Sequence, residues 1–340
     1  MTNIFKGKNI LVTGGTGSIG SEIVRSVLHY GPGVVRVLDN DENGLFNLEQ
    51  DLHDHTNVRF LSGDLRDKER LIRAVEGIHI IFHAAALKHV PLCEYNPFEA
   101  VKTNVLGTQN IIEAAIGEEI DKLITISTDK AVNPINVMGA TKLLAERLTI
   151  SASSYSGARK TIFSCVRFGN VLHSRGSVVP IFRNQIIKGG PVTITDKKMT
   201  RFVMSISRAV SLVFKAAEIA KGGEIFILKM PAILIADLAE AMIEELAPAY
   251  GYDPKAIELR VTGKRVGEKE HEELMTEEEA RSAYETEDMF IISPMELNTK
   301  YKVTSKKKYS SNNQKTVIKK EIKRLIKDNL HLSSDNCLID

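Results

Sequence analysis

The chain has 340 residues, 26% of them charged, with a formal net charge of +2 and a mean hydropathy of −0.10. That length buries a large core as one composite domain or two modest ones, and the composition is that of an ordinary soluble globular protein. So small a net charge argues against nucleic acid or a membrane surface as partner; the three scattered cysteines (Cys93, Cys165, Cys337) form no CxxC pair and have no metal-like spacing to histidine, so no metal site is expected. They favour a reducing compartment, and the apolar run in MTNIFKGKNILVTGG is too short for a signal peptide or a membrane span. A cytoplasmic protein without internal repeats is expected.

Asn9 to Val12 is a short apolar run that leads into TGGTGSIG, and SEIVRSVLHY then shows helical spacing. Gly14, Gly17 and Gly20 form G-x-x-G-x-x-G, with Thr16, Ser18 and Ile19 in the same turn. Between a first strand and a first helix, such a turn lets a pyrophosphate approach backbone amides at a helix N-terminus. The spacing differs by one residue from the usual dinucleotide fingerprint. Val34 to Leu38 then ends in Asp39, about 20 residues past the glycines, where a carboxylate accepts the ribose hydroxyls of NAD and repels the 2′-phosphate of NADP. The competing reading makes Asp39 a helix N-cap. NAD is favoured over NADP.

Val58 to Leu61 reads as a third strand, with Asp64 and Leu65 at its carboxyl end, where an adenine lies in this architecture. Ile78 to Ala86 reads as a fourth; Ala84, Ala85 and Ala86 leave room for a cofactor or for close helix packing. Lys88 and His89 follow in a loop that overhangs the ligand. Asn96-Pro97 starts a long amphipathic helix expected to run through Ile116, with Asn104 inside it. Lys122 to Ser127, the fifth strand, delivers Thr128, Asp129 and Lys130 to the edge where open α/β sheets bind ligands. Strands alternating with helices give a Rossmann-type, doubly wound parallel α/β sheet.

Asp129 and Lys130 pair an acid with a base, or make a plain surface ion pair. Lys142, one turn into the helix that begins at MGATK, is placed to hold ribose hydroxyls and lower the pKa of a neighbouring hydroxyl, or is an ordinary helix lysine. Met138 stands where many nicotinamide enzymes carry tyrosine and has no proton to give. Beyond Asn170 the alternation breaks. Arg201 in MTRF and Arg265 in GKRVGEKEHEEL are candidates for a diphosphate, because guanidinium forks match phosphate oxygens, and Glu268 for a ribose hydroxyl. The same charged stretch also reads as a solvated turn, and His271 as structural. Ile206 to Ile219 is a helix and Glu224 to Leu228 a strand returning to the first domain. Residues 1–170 plus about 203–232 are thus expected to form a dinucleotide-binding domain, and about 171–202 and 233–297 a smaller α/β substrate-binding part. Residues 298–340 are expected to be a basic arm and a helix with Ile318, Ile322, Leu325, Ile326 and Leu330 on one face, docked on the body or on a neighbouring subunit.

TGGTGSIG, HAAALKHVP, NVLGTQN, STDKAVNPINVMGATK and RFGNVLHSRGSVVP resemble the extended short-chain dehydrogenase/reductases and, within them, the UDP-N-acetylglucosamine 4,6-dehydratases of surface-glycan synthesis. The similarity runs from about residue 7 to about residue 311, and the TDK and MGATK boxes are its most specific parts. Both tyrosine and methionine occur in that family at the position of Met138. The resemblance implies a UDP-sugar substrate contacted by Lys88, Met138, Asn170, Arg201, Arg265 and Glu268. It also implies an NAD(P) cofactor contacted by the glycine turn, Asp39, Asp64, Leu65, Ala84 to Ala86, Lys88, Asn104 and Lys142. In the implied reaction C4 is oxidised, Lys130 takes the C5 proton, Asp129 protonates the departing C6 hydroxyl, and hydride returns to C6. Thr128 would assist at the C4 hydroxyl. A homo-oligomer is expected, and the tail is similar to that of C5-inverting members. A UDP-sugar epimerase and a non-catalytic NAD(P)-binding protein are the alternatives; the acid–base pair at Asp129-Lys130 argues against the first.

Overall fold

The computed structural model describes residues 3–172, 174–297 and 301–330, with side chains through Ile326. Cys337 and the side chain of Leu330 lie outside the described residues. The chain divides into two compact units, one made of Met1–Phe168, Ala209–Lys229 and Leu274–Lys308, the other of Gly169–Arg208, Met230–Glu273 and Tyr309–Asp340.

The first unit begins with β1 (Asn9–Thr13), α1 (Ser18–Leu28), β2 (Val34–Asp39), α2 (Glu42–Asp51), β3 (Val58–Ser62), α3 (Lys68–Val75) and β4 (Ile80–His83). It continues with the short helices α4 (Val90–Tyr95) and α5 (Pro97–Val101), a π-helical turn at Lys102–Leu106, and α6 (Gly107–Gly117). Then come β5 (Lys122–Thr128), a 3-10 turn at Asp129–Ala131, α7 (Val137–Tyr155) and β6 (Ile162–Phe168). The six strands lie in the order β3-β2-β1-β4-β5-β6, all parallel. Helices cover both faces, so the strands read as unbroken apolar runs instead of alternating ones: Ile10, Leu11 and Val12 are all 0% exposed. The strand order reverses at β1, between β2 and β4, and this crevice is where ligands of such sheets bind.

Ile225–Leu228 extends the sheet parallel to β6, as expected for a return to the first domain. The domain boundary after it differs from expectation. Residues expected in the substrate-binding part, Ala283–Glu285 and Met289–Ile292, pair antiparallel at this edge of the large sheet instead. Phe290 and Ile291 are buried there, and the pairing satisfies the open edge of Ile225–Leu228. Lys302–Val303, expected in a flexible basic arm, adds the last strand. The long helix expected from Asn96 is also absent as such. Asn96 separates α4 from α5, and the π-helical turn widens the helix around Asn104.

In the second unit Ala232–Leu234, Thr200–Met204 and Asn170–Val171 form one small sheet, and Val192–Ile194 pairs with Leu259–Val261. Helices Val178–Ile187, Ile235–Leu246 and Lys319–Leu330 pack a core that includes Phe182, Ile186, Leu238, Met242, Ile322 and Ile326. The tail helix therefore docks on its own unit. Ile322 and Ile326 are 1% exposed and Leu325 packs against them, whereas Ile318, expected on the same face, is exposed. Lys319 and Lys323 fix the rim through Glu240, Glu244 and Glu245. Tyr309 anchors the segment before the helix: its hydroxyl donates to Met230 O and accepts from Met230 N, both at 2.8 Å, and burial pushes the phenol up to about 12.

Candidate active site

The carboxyl ends of β1, β2, β4 and β5 bring the expected cofactor residues to one edge of one sheet. Gly14 turns the chain out of β1 with φ 66°, and a side chain there would meet Ala85 Cα and N at 2.6 Å. At Gly20 it would meet Gly14 O at 2.1 Å. Both glycines are thus required by close backbone packing, and the run Ala84 to Ala86 is small because it crosses Gly14. Gly17 is the N-cap of α1 and supplies no side-chain cap, and the positive end of the helix at Ser18 to Gly20 favours an anion. This cradle fits a dinucleotide.

Asp39 does not cap α2. Asp41 does, accepting from Gly44 N at 2.9 Å. Instead Asp39 Oδ2 accepts from Thr16 N at 3.0 Å and from Thr16 Oγ1 at 2.7 Å, which ties the end of β2 to the glycine turn. Asp64 is hydrogen-bonded to Arg66 at 2.6 Å, and this partner holds its carboxyl below the usual range. Leu65 is buried. Asn104, 1% exposed, uses its amide inside the protein: Oδ1 accepts from Leu87 N at 2.7 Å, and Nδ2 donates to Leu87 O and Thr141 Oγ1, both at 3.0 Å. It thereby fixes the loop that presents Lys88, which is exposed.

The acid–base group is compact. Asp129 is 0% exposed; its Oδ1 accepts from Thr128 Oγ1 at 2.8 Å and from Lys130 Nζ at 3.0 Å. Its Oδ2 is buried with no hydrogen-bond partner, and so is Ser127 Oγ. A buried carboxylate oxygen left unsatisfied is costly, so its presence beside a lysine marks a place where a donor belongs. The pair is not a surface ion pair. Lys142 is likewise no solvated helix lysine: Nζ donates to Ile126 O at 2.7 Å, and burial lowers its pKa while Glu146 opposes that shift. Met138 is 3% exposed and packs with Cys93 and Ala100.

In the second unit Asn170 begins a short strand and is half-buried. Arg265 is exposed, and Glu268 Oε2 accepts from Arg265 N at 3.2 Å, closing a turn. Arg201 is buried and spends its guanidinium on backbone carbonyls: Nη1 donates to Thr200 O and Glu270 O, and Nη2 to Lys269 O at 2.9 Å. It holds the charged loop in shape. His271 Nδ1 and Ser311 Oγ both meet Thr200 Oγ1, at 2.8 and 2.7 Å, a structural placement that agrees with the reading of His271.

The profile of the family described as "Polysaccharide biosynthesis protein" matches residues 10–294. The chain belongs to that family. A relative in Campylobacter jejuni, named UDP-N-acetylglucosamine 4,6-dehydratase (inverting), is 42% identical over 293 residues, covering 86% of this chain and 84% of its own. A Methanocaldococcus jannaschii relative is 60% identical over 96% of this chain and 98% of its own, and bears the name "Uncharacterized membrane protein MJ1061". Among the described residues of this family member no helix is long and apolar enough to cross a membrane. The solved structure titled Pen, from Bacillus thuringiensis, is 48% identical, covers 95% of this chain and 98% of that one, and superposes with a TM-score of 0.89.

Sequence reasoning missed a second layer of polar residues in this member of the polysaccharide biosynthesis family. His83 is fully buried between Thr13 Oγ1 (2.8 Å) and Thr108 Oγ1 (3.0 Å), and Thr108 donates on to Asn104 O at 2.7 Å. Because the Thr108 proton is committed, His83 donates through Nε2 and accepts through Nδ1. Glu146 and Arg167, both buried, were also missed, although Glu146 lies four residues past Lys142 and that spacing was a usable signal.

Proposed function

We propose that the protein is a nicotinamide-dependent UDP-N-acetylglucosamine 4,6-dehydratase, acting in the polysaccharide biosynthesis to which its family belongs. One observation carries this reading: a fully buried aspartate in contact with both a lysine and a threonine, its second oxygen unpartnered, at the ligand edge of a dinucleotide-binding sheet. The 42% identity to a C. jejuni protein of that name supports it. NAD is the preferred cofactor, since Asp39 at the end of β2 disfavours a 2′-phosphate.

The glycine turn, Asp39 and Lys142 would hold a nicotinamide cofactor, which would supply hydride acceptance at C4 of the sugar and hydride return at C6. The protein's own residues do the rest. In the pair at rest, one proton moved from Lys130 Nζ to Asp129 along their 3.0 Å hydrogen bond leaves a neutral amine and a carboxylic acid. Lys130 then removes the C5 proton, which the 4-keto group has acidified, and Asp129 gives its proton to the C6 hydroxyl, which leaves as water. The ammonium–carboxylate pair is restored, and as hydride adds at C6 the resulting enolate takes a proton at C5 from solvent, which balances the one released from the C4 hydroxyl on oxidation. Thr128 assists at the C4 hydroxyl, and Lys142 holds the ribose hydroxyls of the cofactor.

Incubating the purified protein with UDP-N-acetylglucosamine and NAD, and following the sugar by mass spectrometry, tests the reading. Loss of one water is expected. An isomer of unchanged mass would mean epimerisation, and no turnover despite cofactor binding would mean a non-catalytic protein; either would overturn it. Proton NMR of the product formed in D2O reads the C5 configuration, for which we propose inversion.

A further inference from the structure

We propose that Glu146 and Arg167 are positioning residues for Lys142, acting as a buried charge array that keeps its ammonium charged and in place. The array lies within the first unit. Arg167, 1% exposed, donates from Nε to Glu146 Oε1 at 3.0 Å and from Nη2 to Glu146 Oε2 at 2.7 Å. Its outer side donates to Glu279 Oε1 and Oε2 at 3.0 and 3.1 Å and to Leu274 O at 3.0 Å. Glu279 is itself fixed in a capping box with Thr276 at the start of helix Glu277–Arg281. Lys142 and Glu146 lie one turn apart on α7, both buried.

Lys142, Glu146 and Arg167 are therefore buried charges in sequence along the array, with the half-buried Glu279 at its outer end. Such rows are poor stabilisers, because desolvation offsets their attraction and apolar side chains of similar volume do as well. A role in function explains the arrangement better. The titratable groups facing Lys142 come from three elements. On β4, His83 is neutral, its pKa lowered by burial; on β6, Cys165 stays a thiol because burial raises it; on α7, Glu146 supplies the negative charge. The carbonyl of Ile126 on β5 accepts from the ammonium. Burial works against a charged Lys142, and Glu146 works for it. Arg167 sets how much of that charge reaches the lysine and holds the carboxylate with both oxygens engaged.

The inference rests on the reading of Lys142 as the residue that holds the cofactor's ribose. It is tested by calorimetric titration of the full chain with NAD over a series of pH values from neutral into the alkaline range, since burial lowers the pKa of Lys142. In the wild type, affinity falls at high pH as Lys142 deprotonates. In Glu146→Gln the fall should move down by about one pH unit or more, a roughly tenfold loss of affinity at a fixed pH on the slope. In Arg167→Met, which leaves the anions uncompensated, it should move up. Opposite directions are the signature, since mere loosening of the fold would move both variants the same way. If Glu146→Gln does not fold, Glu279→Gln is read against Arg167→Met, and if Arg167→Met does not fold, Arg167→Gln takes its place, so that opposite directions are still compared. Glu279→Gln, whose side chain is 15% exposed, supplies a third arm with a smaller downward move. A fall that stays put in these variants, or moves the same way in Glu146→Gln and Arg167→Met, overturns the inference. Lys142→Met separates the two layers: if it binds NAD as tightly as the wild type, the reading of Lys142 itself is wrong and the array has nothing to position.

Discussion

Asp129 and Lys130 are adjacent in sequence, yet Asp129 is sealed from solvent while the lysine side chain is 24% exposed. That asymmetry suits an acid that must hold a proton and a base that must reach a substrate carbon. Lys130→Ala is expected to reduce dehydration by roughly 100-fold or more while leaving NAD affinity within about twofold, because only the proton transfer is lost. Met138→Ala should keep measurable turnover, since no proton passes through the thioether, but should lower stability by about 2–5 kcal/mol because the side chain fills a buried cluster. Turnover equal to wild type in the first variant, or none in the second, would contradict these roles. His83 makes a prediction about pH. Its pKa is lowered to about 3 by burial, so below the ordinary 6.5 the unfolded chain binds a proton that the folded one refuses. Stability is then full above about pH 6.5 and falls as pH drops toward 3, by roughly 2 kcal/mol from this residue between pH 6.5 and 5. Denaturant titrations of wild type and His83→Gln at the two values should show this loss only in the wild type.

At the scale of elements, the β1–α1 turn and the widened helix around Asn104 are shaped by backbone approach more than by side-chain preference. Gly20→Ala should weaken NAD binding by roughly 10-fold or more, because its Cβ would lie 2.1 Å from Gly14 O and the turn must shift to admit it. Gly117→Ala, at the end of α6 with open space around it, is the control and should leave binding unchanged. Calorimetry on both variants reads the difference, and equal affinities would show that the turn does not seat the cofactor. The π-helical turn at Lys102–Leu106 could not be seen in a helical pattern, because one extra residue per turn alters the facing of side chains and not their composition. What it places is Asn104, directed at both backbone groups of Leu87.

Over the whole molecule, three passages of chain build each unit, and the late ones finish structures begun early. Met289–Ile292 closes the edge of a sheet founded by residues 9–13, and the tail helix completes the core of the second unit. Ile322→Ala and Ile326→Ala should each cost about 2–5 kcal/mol, as buried large-to-small substitutions do, whereas Ile318→Ala should cost little because Ile318 is exposed. Chemical denaturation of the three variants distinguishes a docked tail from a dispensable one; equal, negligible losses would mean that the helix contributes nothing to the core.

The sequence by itself determined the parallel sheet, the glycine turn, the end of β2 at Asp39 and the delivery of Thr128, Asp129 and Lys130 at one edge. Those features rest on local patterns: apolar runs, glycine spacing and the distance from a strand to its turn. Only the tertiary structure decided that Arg201 holds backbone carbonyls, that Asp41 and not Asp39 caps α2, and that residues 283–292 belong to the large sheet. It also brought Arg167 and Glu279, 112 positions apart, to one guanidinium. Such partners are set by which surfaces meet when the chain closes, and a buried charge finds its counter-charge wherever packing supplies one.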